Sequence, residues 1–352
     1  MAGIDNRVTI NDVAKAAGVS KGTVDRVLHN RGEVSPKSRE KVLKVIEELG
    51  YKPNFYASIL ASQKKHRIVC LIPEYSSGDF WSLTARGIEE AAETATRYGV
   101  SVEVATYDQY DVDSFRNACT CVLENMPSGV VVAPMFRVET MNFVKKLNAA
   151  GVPYVYIDSK LEDDSYFAYF GMPMFQSGYL CADIMTDGRK LDKIIVVRIE
   201  RDKMGYSDPT VARRTGFMEY MADHCSGTQI VNVFIDPKNP DDVRNKLDVA
   251  FSAPTDSMGV VMFNSRIHLV ASYVRERAFA DVRVIGFDAL EKNMDALRAG
   301  YVQILIAQHS DRQAAAAVSS LVDNLILGVQ VAKKDNYTQM DILNRYNCDY
   351  YM

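Results

Sequence analysis

No stretch of the 352 residues approaches the roughly 20 consecutive apolar residues that cross a bilayer, so no membrane partner is expected. The opening, MAGIDNRVTIND, holds no apolar segment of the kind a secretory leader needs, and the chain reads as cytoplasmic. Cysteine is sparse and scattered: of the six, only Cys119 and Cys121 lie close, and a C-x-C without a second pair is a poor zinc pattern. All six are read as reduced thiols, and no metal or cofactor is expected. The five histidines form no H-E-x-x-H, and neither G-x-G-x-x-G nor G-x-x-x-x-G-K-[ST] occurs. No strand pattern runs into a G-x-S-x-G elbow. Each absence removes the signature of one enzyme class, and the chain is not expected to be an enzyme.

What is present divides unevenly. Apolar residues make up 47% and charged residues 24%, the balance of a water-soluble globular chain, and the length exceeds what one core usually organises. Residues 1–67 carry 13 Lys+Arg against 7 Asp+Glu, a net +6, while the remainder carries 28 against 38, a net −10. A basic head on an acidic body suggests that only the head meets a polyanion. Residues 8–50 read as three helices. Thr9 caps NDVAKAAG, Ser20 caps KGTVDRVLHN, and Ser35 precedes PKSREKVLKVIEELG with Pro36 at its first position. Val13, Ala14, Ala17, Val19, Val24, Val27, Leu28, Val42, Val45, Ile46 and Leu49 fall at helical spacing and can form one small core. YKPNFYASILASQKK follows as a linker with a short helix near 54–62, too short to be stable alone. From Ile68 onward, ten short apolar runs, from RIVCLIP to VQILIAQ, alternate with amphipathic helical stretches. That alternation means parallel sheets covered on both faces, and ten strands are too many for one doubly wound sheet, so two lobes are expected.

A short helix, a tight turn and a second helix on a basic three-helix domain is the helix-turn-helix arrangement, whose second helix enters the DNA major groove by its N-terminal end. That end carries Lys21, Gly22, Asp25 and Arg26. Arg26 can reach guanine O6 and N7, and Asp25 can accept from cytosine N4 or orient Arg26. Thr9, Ser20, Thr23, His29 and Ser35 are placed to hold phosphates. The alternative is a helical protein-interaction domain with a solvated basic face. The residues VTI-DVA-AAGVS-TV-RVL, VS--SREKV and LGY-PN, spread without a gap over about 55 positions, closely resemble the headpiece and hinge of the LacI/GalR family. The resemblance implies that Lys21, Gly22, Asp25 and Arg26 read bases, and that YKPNFYASILAS is a hinge helix, containing Asn54, that folds over the centre of a palindrome. It places Leu60 as the side chain wedged into the minor groove and Ala57 as the small residue allowing close approach. The alternative for Leu60 is a core contact between headpiece and body. Gly22, where many members carry a base-reading side chain, and Asp25, where serine is frequent, depart from the pattern.

For residues 68–352 the resemblance implies a two-lobed α/β body that closes on a small molecule like a periplasmic sugar-binding protein. The expected layout is a headpiece at 1–52, a hinge at 53–66 and a body at 67–352. The first lobe is expected at about 67–170 and 309–329, and the second at about 171–308 and 330–352, with the tail adding a last strand to the second. Ligand residues are expected at the C-terminal ends of strands. The loop after the first strand offers Ser76, Phe80 and Trp81, the only tryptophan. Aromatic faces beside polar groups suit a sugar ring, the alternative being that Phe80 and Trp81 cap the core. Asp108, Asp158 and Asp288 close strands, Asn264 follows MGVVMF, Arg213 sits in VARRTGF, and Gln308 follows VQILIA. Each strand-end aspartate can alternatively cap the helix after it. GFD and R-x-x-GF match family positions, which favours Asp288 and Arg213; Arg266 is a further candidate. The expected function is a repressor of carbohydrate-utilisation genes that binds a palindromic operator as a homodimer and changes DNA affinity when a sugar occupies the cleft. An activator or co-repressor-dependent regulator answering to a non-sugar metabolite is the other reading within the family, and an α/β enzyme the distant one. No terminal heptad repeat is present, so a dimer is expected rather than a tetramer.

Overall fold

The structure, a computed structural model, describes residues 8–28, 32–51, 65–199, 209–252, 257–279 and 281–351. The chain divides into two units, Met1–Lys64 and Lys65–Met352. In the first unit α1 (Ile10–Ala17), α2 (Lys21–Leu28) and α3 (Pro36–Glu48) follow the capping signals. Thr9 and Asp12 form a reciprocal capping box, the Thr9 amide donating to Asp12 at 2.8 Å and the Asp12 amide to the Thr9 hydroxyl at 3.3 Å. Gly18 ends α1 with a left-handed φ of 64°, a conformation in which glycine carries no Cβ penalty. Ser20 and Ser35 cap the next two helices, accepting from the amides of Thr23 and Ser38. The only G-x-S-x-G string in the chain, Gly18 to Gly22, therefore lies in a helix-to-helix turn and not at a strand end. Val13, Ala14, Ala17, Val24, Val27 and Val42 form the core, joined by Tyr51, and Val19, Leu28, Val45 and Ile46 pack partly buried around it. Leu49, expected inside, is exposed, and Tyr51 takes its place.

The second unit contains two six-stranded sheets. The first holds β1 (His66–Pro73), β2 (Val100–Tyr107), β3 (Gly129–Val132), β4 (Tyr154–Asp158), β5 (Ala168–Gly171) and, from the tail, β11 (Asp335–Tyr337). Its order is β11-β5-β4-β3-β1-β2, parallel throughout. The second holds β6 (Lys193–Ile199), β7 (Gln229–Ile235), β8 (Met258–Met262), β9 (Val282–Phe287), β10 (Ile304–Gln308) and β12 (Met340–Leu343), in the order β12-β10-β9-β8-β6-β7. Only the β10–β12 pairing is antiparallel. The intervening helices are α4 (Phe80–Thr96), α5 (Val112–Glu124), α6 (Arg137–Ala149), α7 (Met174–Thr186), α8 (Pro209–His224), α9 (Pro240–Phe251), α10 (His268–Glu276), α11 (Glu291–Arg298) and α12 (Ser310–Leu327). Successive strand residues serve opposite faces of the second sheet. Val197, Val260 and Val284 join one core, and Val196, Val261 and Ile285 join the other. The first lobe's core runs from Leu71, Val131 and Tyr156 to Ala314, Ala317, Val318 and Leu321 of α12.

The tail differs from the single strand expected of it. Its first strand, β11, joins the first sheet beside β5, and only β12 joins the second. DNYTQMDIL has no apolar run to announce two strands. Polar clamps hold β11 instead: Tyr166 donates from its hydroxyl to Asp335 at 2.7 Å, and Lys160 pairs with the same carboxylate. The chain thus passes between lobes three times, after Gly171, after Gln308 and after Tyr337. Hydrogen bonds join these crossings. The Thr338 amide donates to the Gly171 carbonyl at 2.8 Å, and the Gln313 side-chain amide lies 2.9 Å from the Thr338 hydroxyl and 3.2 Å from Gln308 Oε1.

Candidate functional site

Between the lobes lies a cleft of about 260 Å³, lined from strand ends and the loops after them. The first lobe contributes Glu74, Ser77, Asp79, Phe80 and Trp81 after β1, Gln109 and Tyr110 after β2, and Asp158 at the end of β4. The second contributes Arg213 from α8, Asn264, Ser265, Arg266 and His268 after β8, Asp288 after β9, and Gln308 at the end of β10. The open ends of parallel sheets are where an α/β fold leaves room for a ligand.

Seven of the nine residues expected to bind ligand line this cleft: Phe80, Trp81, Asp158, Arg213, Asn264, Asp288 and Gln308. Two do not. Asp108 closes its own turn, accepting from the Tyr110 amide at 2.8 Å, so Gln109 and Tyr110 face the cleft in its place. Ser76 is held in the loop by its amide, which donates to Asp79 at 3.1 Å, and Ser77 takes the lining position. Trp81 is both a core residue and a cleft-lining one. It belongs to the first lobe's core, meets Phe80 edge-on at 5.1 Å, and presents part of its surface to the cleft.

Asp158 and Asp288 hold corresponding places in the two sheets, and both have left-handed backbone, φ 63° and 68°. Outside glycine that region costs of the order of 1 kcal/mol and persists where neighbours impose it, often at binding sites. The Tyr169 hydroxyl donates to the Asp158 carbonyl at 3.0 Å. The Asn293 side-chain amide donates to the Asp288 carbonyl at 3.0 Å, and also to those of Ser265 at 2.9 Å and Phe287 at 3.2 Å. The Asp288 carboxylate accepts from Gln308 at 3.0 Å. Burial pushes this carboxyl above its ordinary range, with Arg213 and the Gln308 bond pulling the other way.

Arg213 is 3% exposed. One terminal nitrogen donates to the Phe263 carbonyl at 2.8 Å and the guanidinium lies 4.4 Å over the Phe287 ring. Its Nε and Nη2 have no partner among the described residues. A buried guanidinium with N–H groups unpartnered is costly, and Arg213 lines the cleft, so these nitrogens are candidates for an oxygen acceptor there. Asn264 accepts the Arg266 amide at 3.0 Å with its side-chain oxygen, leaving its NH2 to donate.

In the headpiece, Lys21, Gly22, Asp25 and Arg26 occupy the exposed face of α2 while Val24 and Val27 bury the opposite one. Positions 21 and 25, like 22 and 26, are one turn apart and form one surface. Thr9, Ser20 and Ser35 are exposed at helix starts, with Thr23 half-buried beside Ser20, their hydroxyls 2.9 Å apart. His29, Asn54, Ala57 and Leu60 lie outside the described residues.

Residues 9–54 match the family model described as bacterial regulatory proteins of the lacI family, and residues 68–328 match the periplasmic binding protein domain. A solved chain assigned as a LacI transcriptional regulator from Bacteroides fragilis is 33% identical, with a TM-score of 0.77, covering 82% of this chain and 100% of that one. The chain belongs to the lacI family. Catabolite control protein A of Priestia megaterium is 37% identical over 148 residues, which is 42% of either chain. The alignment thus spans well under half the length of that curated relative. The regulator IdnR of Escherichia coli K12 is 25% identical over 296 residues, 82% of this chain and 83% of its own.

Four residues that build this lacI-family cleft escaped the sequence reading. Gln109 and Tyr110 lie one and two residues past Asp108, the aspartate that drew attention instead. His268 opens α10, and Asn293 sits in the polar segment EKNMDALR, whose composition suggests a solvated helix, yet Asn293 is fully buried. Its hydrogen bonds connect residues far apart in the chain, which no local pattern can show.

Proposed function

We propose that this chain is a transcription regulator that binds a palindromic operator as a homodimer, and that a small polyhydroxylated effector, a sugar or sugar derivative, sets its affinity for that DNA. The observation that carries the effector reading is the orphaned pair of Arg213 nitrogens beside Asp288. A sugar offers ring and hydroxyl oxygens as acceptors for the guanidinium and hydroxyl donors for the two strand-end carboxylates. Trp81 and Phe80 offer apolar faces to its C–H surface. Membership of the lacI family and the exposed face of α2 support the DNA reading. Bound between lobes, the effector favours one lobe arrangement, and it changes DNA affinity only by the difference in its affinity for the two arrangements. Release of the operator on binding, hence repression relieved by a sugar, is the direction we propose. Ser76 and Asp108 are left out of the ligand-contacting set.

The test has two arms on the full chain. A melting screen against D-ribose, D-arabinose, D-glucose, D-galactose and their phosphates is expected to find a stabiliser, with about 2.7 kcal/mol gained at a hundred times Kd. Binding to genomic fragments is then expected to be palindrome-selective, salt-sensitive and weakened by that compound. Binding that ignores sequence at every salt concentration would refute the DNA reading. A flat melting screen would refute the sugar reading alone.

A further inference from the structure

We infer that Asn293, a buried residue outside the cleft, is the positioning residue of the second-lobe wall: it locks His268 with its proton on Nδ1, so that Nε2 faces an incoming effector as an obligatory hydrogen-bond acceptor. This rests on the reading of the cleft as an effector site and adds a selectivity rule. The effector offers a donor, a hydroxyl or an ammonium group, to this part of the wall, and an oxyanion there is rejected.

The Asn293 side-chain nitrogen lies within hydrogen-bond distance of three backbone carbonyls, those of Ser265, Phe287 and Asp288. Carbonyls only accept, so this atom is the NH2, and the other atom is the acceptor. The His268 backbone amide confirms the orientation by donating to it at 3.1 Å. His268 Nδ1 lies 3.0 Å from the same oxygen, so Nδ1 must carry a proton. In a neutral imidazole the other nitrogen then holds a bare lone pair. Nothing among the described residues occupies Nε2, and the ring lines the cleft.

The ring is kept neutral by what surrounds it. Burial lowers its pKa from 6.5, with Lys292 of α11 and Arg266 of the β8–α10 loop adding to the effect. The Asn293 bond and Asp79 across the cleft act in the opposite sense. Glu291 also lines the cleft, and Arg275 and Asp295 line a second hollow that His268 borders. Asn293 thereby ties three parts of the wall into one piece: the loop after β8, the left-handed turn at Asp288, and the first residue of α10.

The deciding measurement needs no effector. In the full chain labelled with 13C,15N-histidine, a long-range 1H–15N spectrum at pH 7.5 is expected to show His268 with Nδ1 protonated and Nε2 bare. His268→Gln assigns the signal by its disappearance. A ring protonated on Nε2, or on both nitrogens, overturns the inference. Asn293→Asp puts a carboxylate against the Nδ1 proton and should raise the His268 midpoint by at least one pH unit, tenfold in proton affinity. An unmoved midpoint in a folded variant also overturns it, and if the variant does not fold the wild-type spectrum still decides. D-glucose, D-galactose and D-arabinose then probe the cleft. Whichever stabilises the chain at pH 7.5 should bind about tenfold more weakly one pH unit below the His268 midpoint read from the spectrum, where Nε2 carries a proton. In His268→Gln binding should be weaker overall and should lack the step at that midpoint. The same step surviving in His268→Gln counts against the acceptor role. Silence from all three sugars overturns the sugar reading and leaves the tautomer to judge Asn293.

Discussion

Asp288 carries two costs at one position, a left-handed backbone and a carboxylate that is 4% exposed. Its pKa is raised because burial outweighs the combined pull of Arg213 and Gln308, so folding favours the neutral form more than the unfolded chain does. The attraction of Arg213 is already counted in that balance. A carboxyl whose folded pKa lies above its ordinary 3.8 loses stability as pH climbs from there through the folded pKa, and the loss then persists. Asp288→Asn keeps the oxygen that Gln308 donates to and suits the left-handed backbone better. Calorimetry on it is therefore expected to give an effector-free Tm equal to or above wild type at pH 7, with the gap closing toward pH 4 and the sugar-induced shift lost. A Tm several degrees lower would mean that Arg213 stabilises the ionised form more than burial penalises it. Arg26→Ala, on the exposed face of α2, should weaken specific DNA binding by about 1–3 kcal/mol and relax one base position. Gel shifts across operator variants check it, and unchanged selectivity would remove Arg26 from the reading set. Residue types at strand ends carried the sequence reading this far. They could not show that Asp108 spends its carboxylate on its own turn while Asp158 and Asp288 line the cleft, because that depends on backbone angles at the strand ends.

Among elements, the helices that deliver the site are set by glycine. A Cβ on Gly178 of α7 would meet the Arg213 carbonyl at 1.7 Å, and one on Gly216 of α8 would meet the Phe175 carbonyl at 2.0 Å. The two backbones are in contact, and this contact sets how far Arg213 reaches into the cleft. In the first lobe Gly87 of α4 plays the same part against Asp311 of α12, with 2.0 Å left for a Cβ. Gly178→Ala must drive α8 outward. The expected result is a loss of about 1–3 kcal/mol in the body's stability from overpacking, together with a smaller sugar-induced Tm shift because Arg213 moves. Equal sugar affinity in wild type and a folded variant would show that α8 tolerates the displacement. The ten strands of the body were readable because buried parallel strands are continuous apolar runs. β12 answers to the last strand expected of the tail, but β11 was not legible, since an edge strand held by Lys160, Tyr166 and backbone bonds needs no such run. Asn293 was hidden for a related reason: a buried polar residue in a short polar helix declares itself only through the carbonyls it meets.

At the scale of the whole molecule, effector control requires that the cleft and the passages between lobes share a mechanical connection. One is present as a line of side chains. Asp288 accepts from Gln308 at 3.0 Å, Gln308 accepts from Gln313 at 3.2 Å, and Gln313 also reaches the Thr338 hydroxyl at 2.9 Å. Thr338 in turn donates from its amide to the Gly171 carbonyl. The line begins at a carboxylate that lines the cleft, and it touches all three crossings. Gln308, 4% exposed, and Gln313, 1% exposed, have little access to water as a substitute partner, so breaking the line at one place leaves amides unsatisfied. Gln313→Leu removes the middle of the line, its bonds to Gln308 and Thr338, while preserving most of its volume. If the line transmits closure, this variant keeps sugar affinity within a few-fold, but the ratio of DNA affinities with and without sugar collapses toward one. Couplings of this kind amount to about 1–3 kcal/mol, five- to 150-fold in that ratio, well within the reach of anisotropy titrations. Retention of the full ratio in Gln313→Leu, with Thr338→Val behaving likewise, would show that the lobes move as rigid bodies whose crossings merely follow, and that coupling runs through the cores instead.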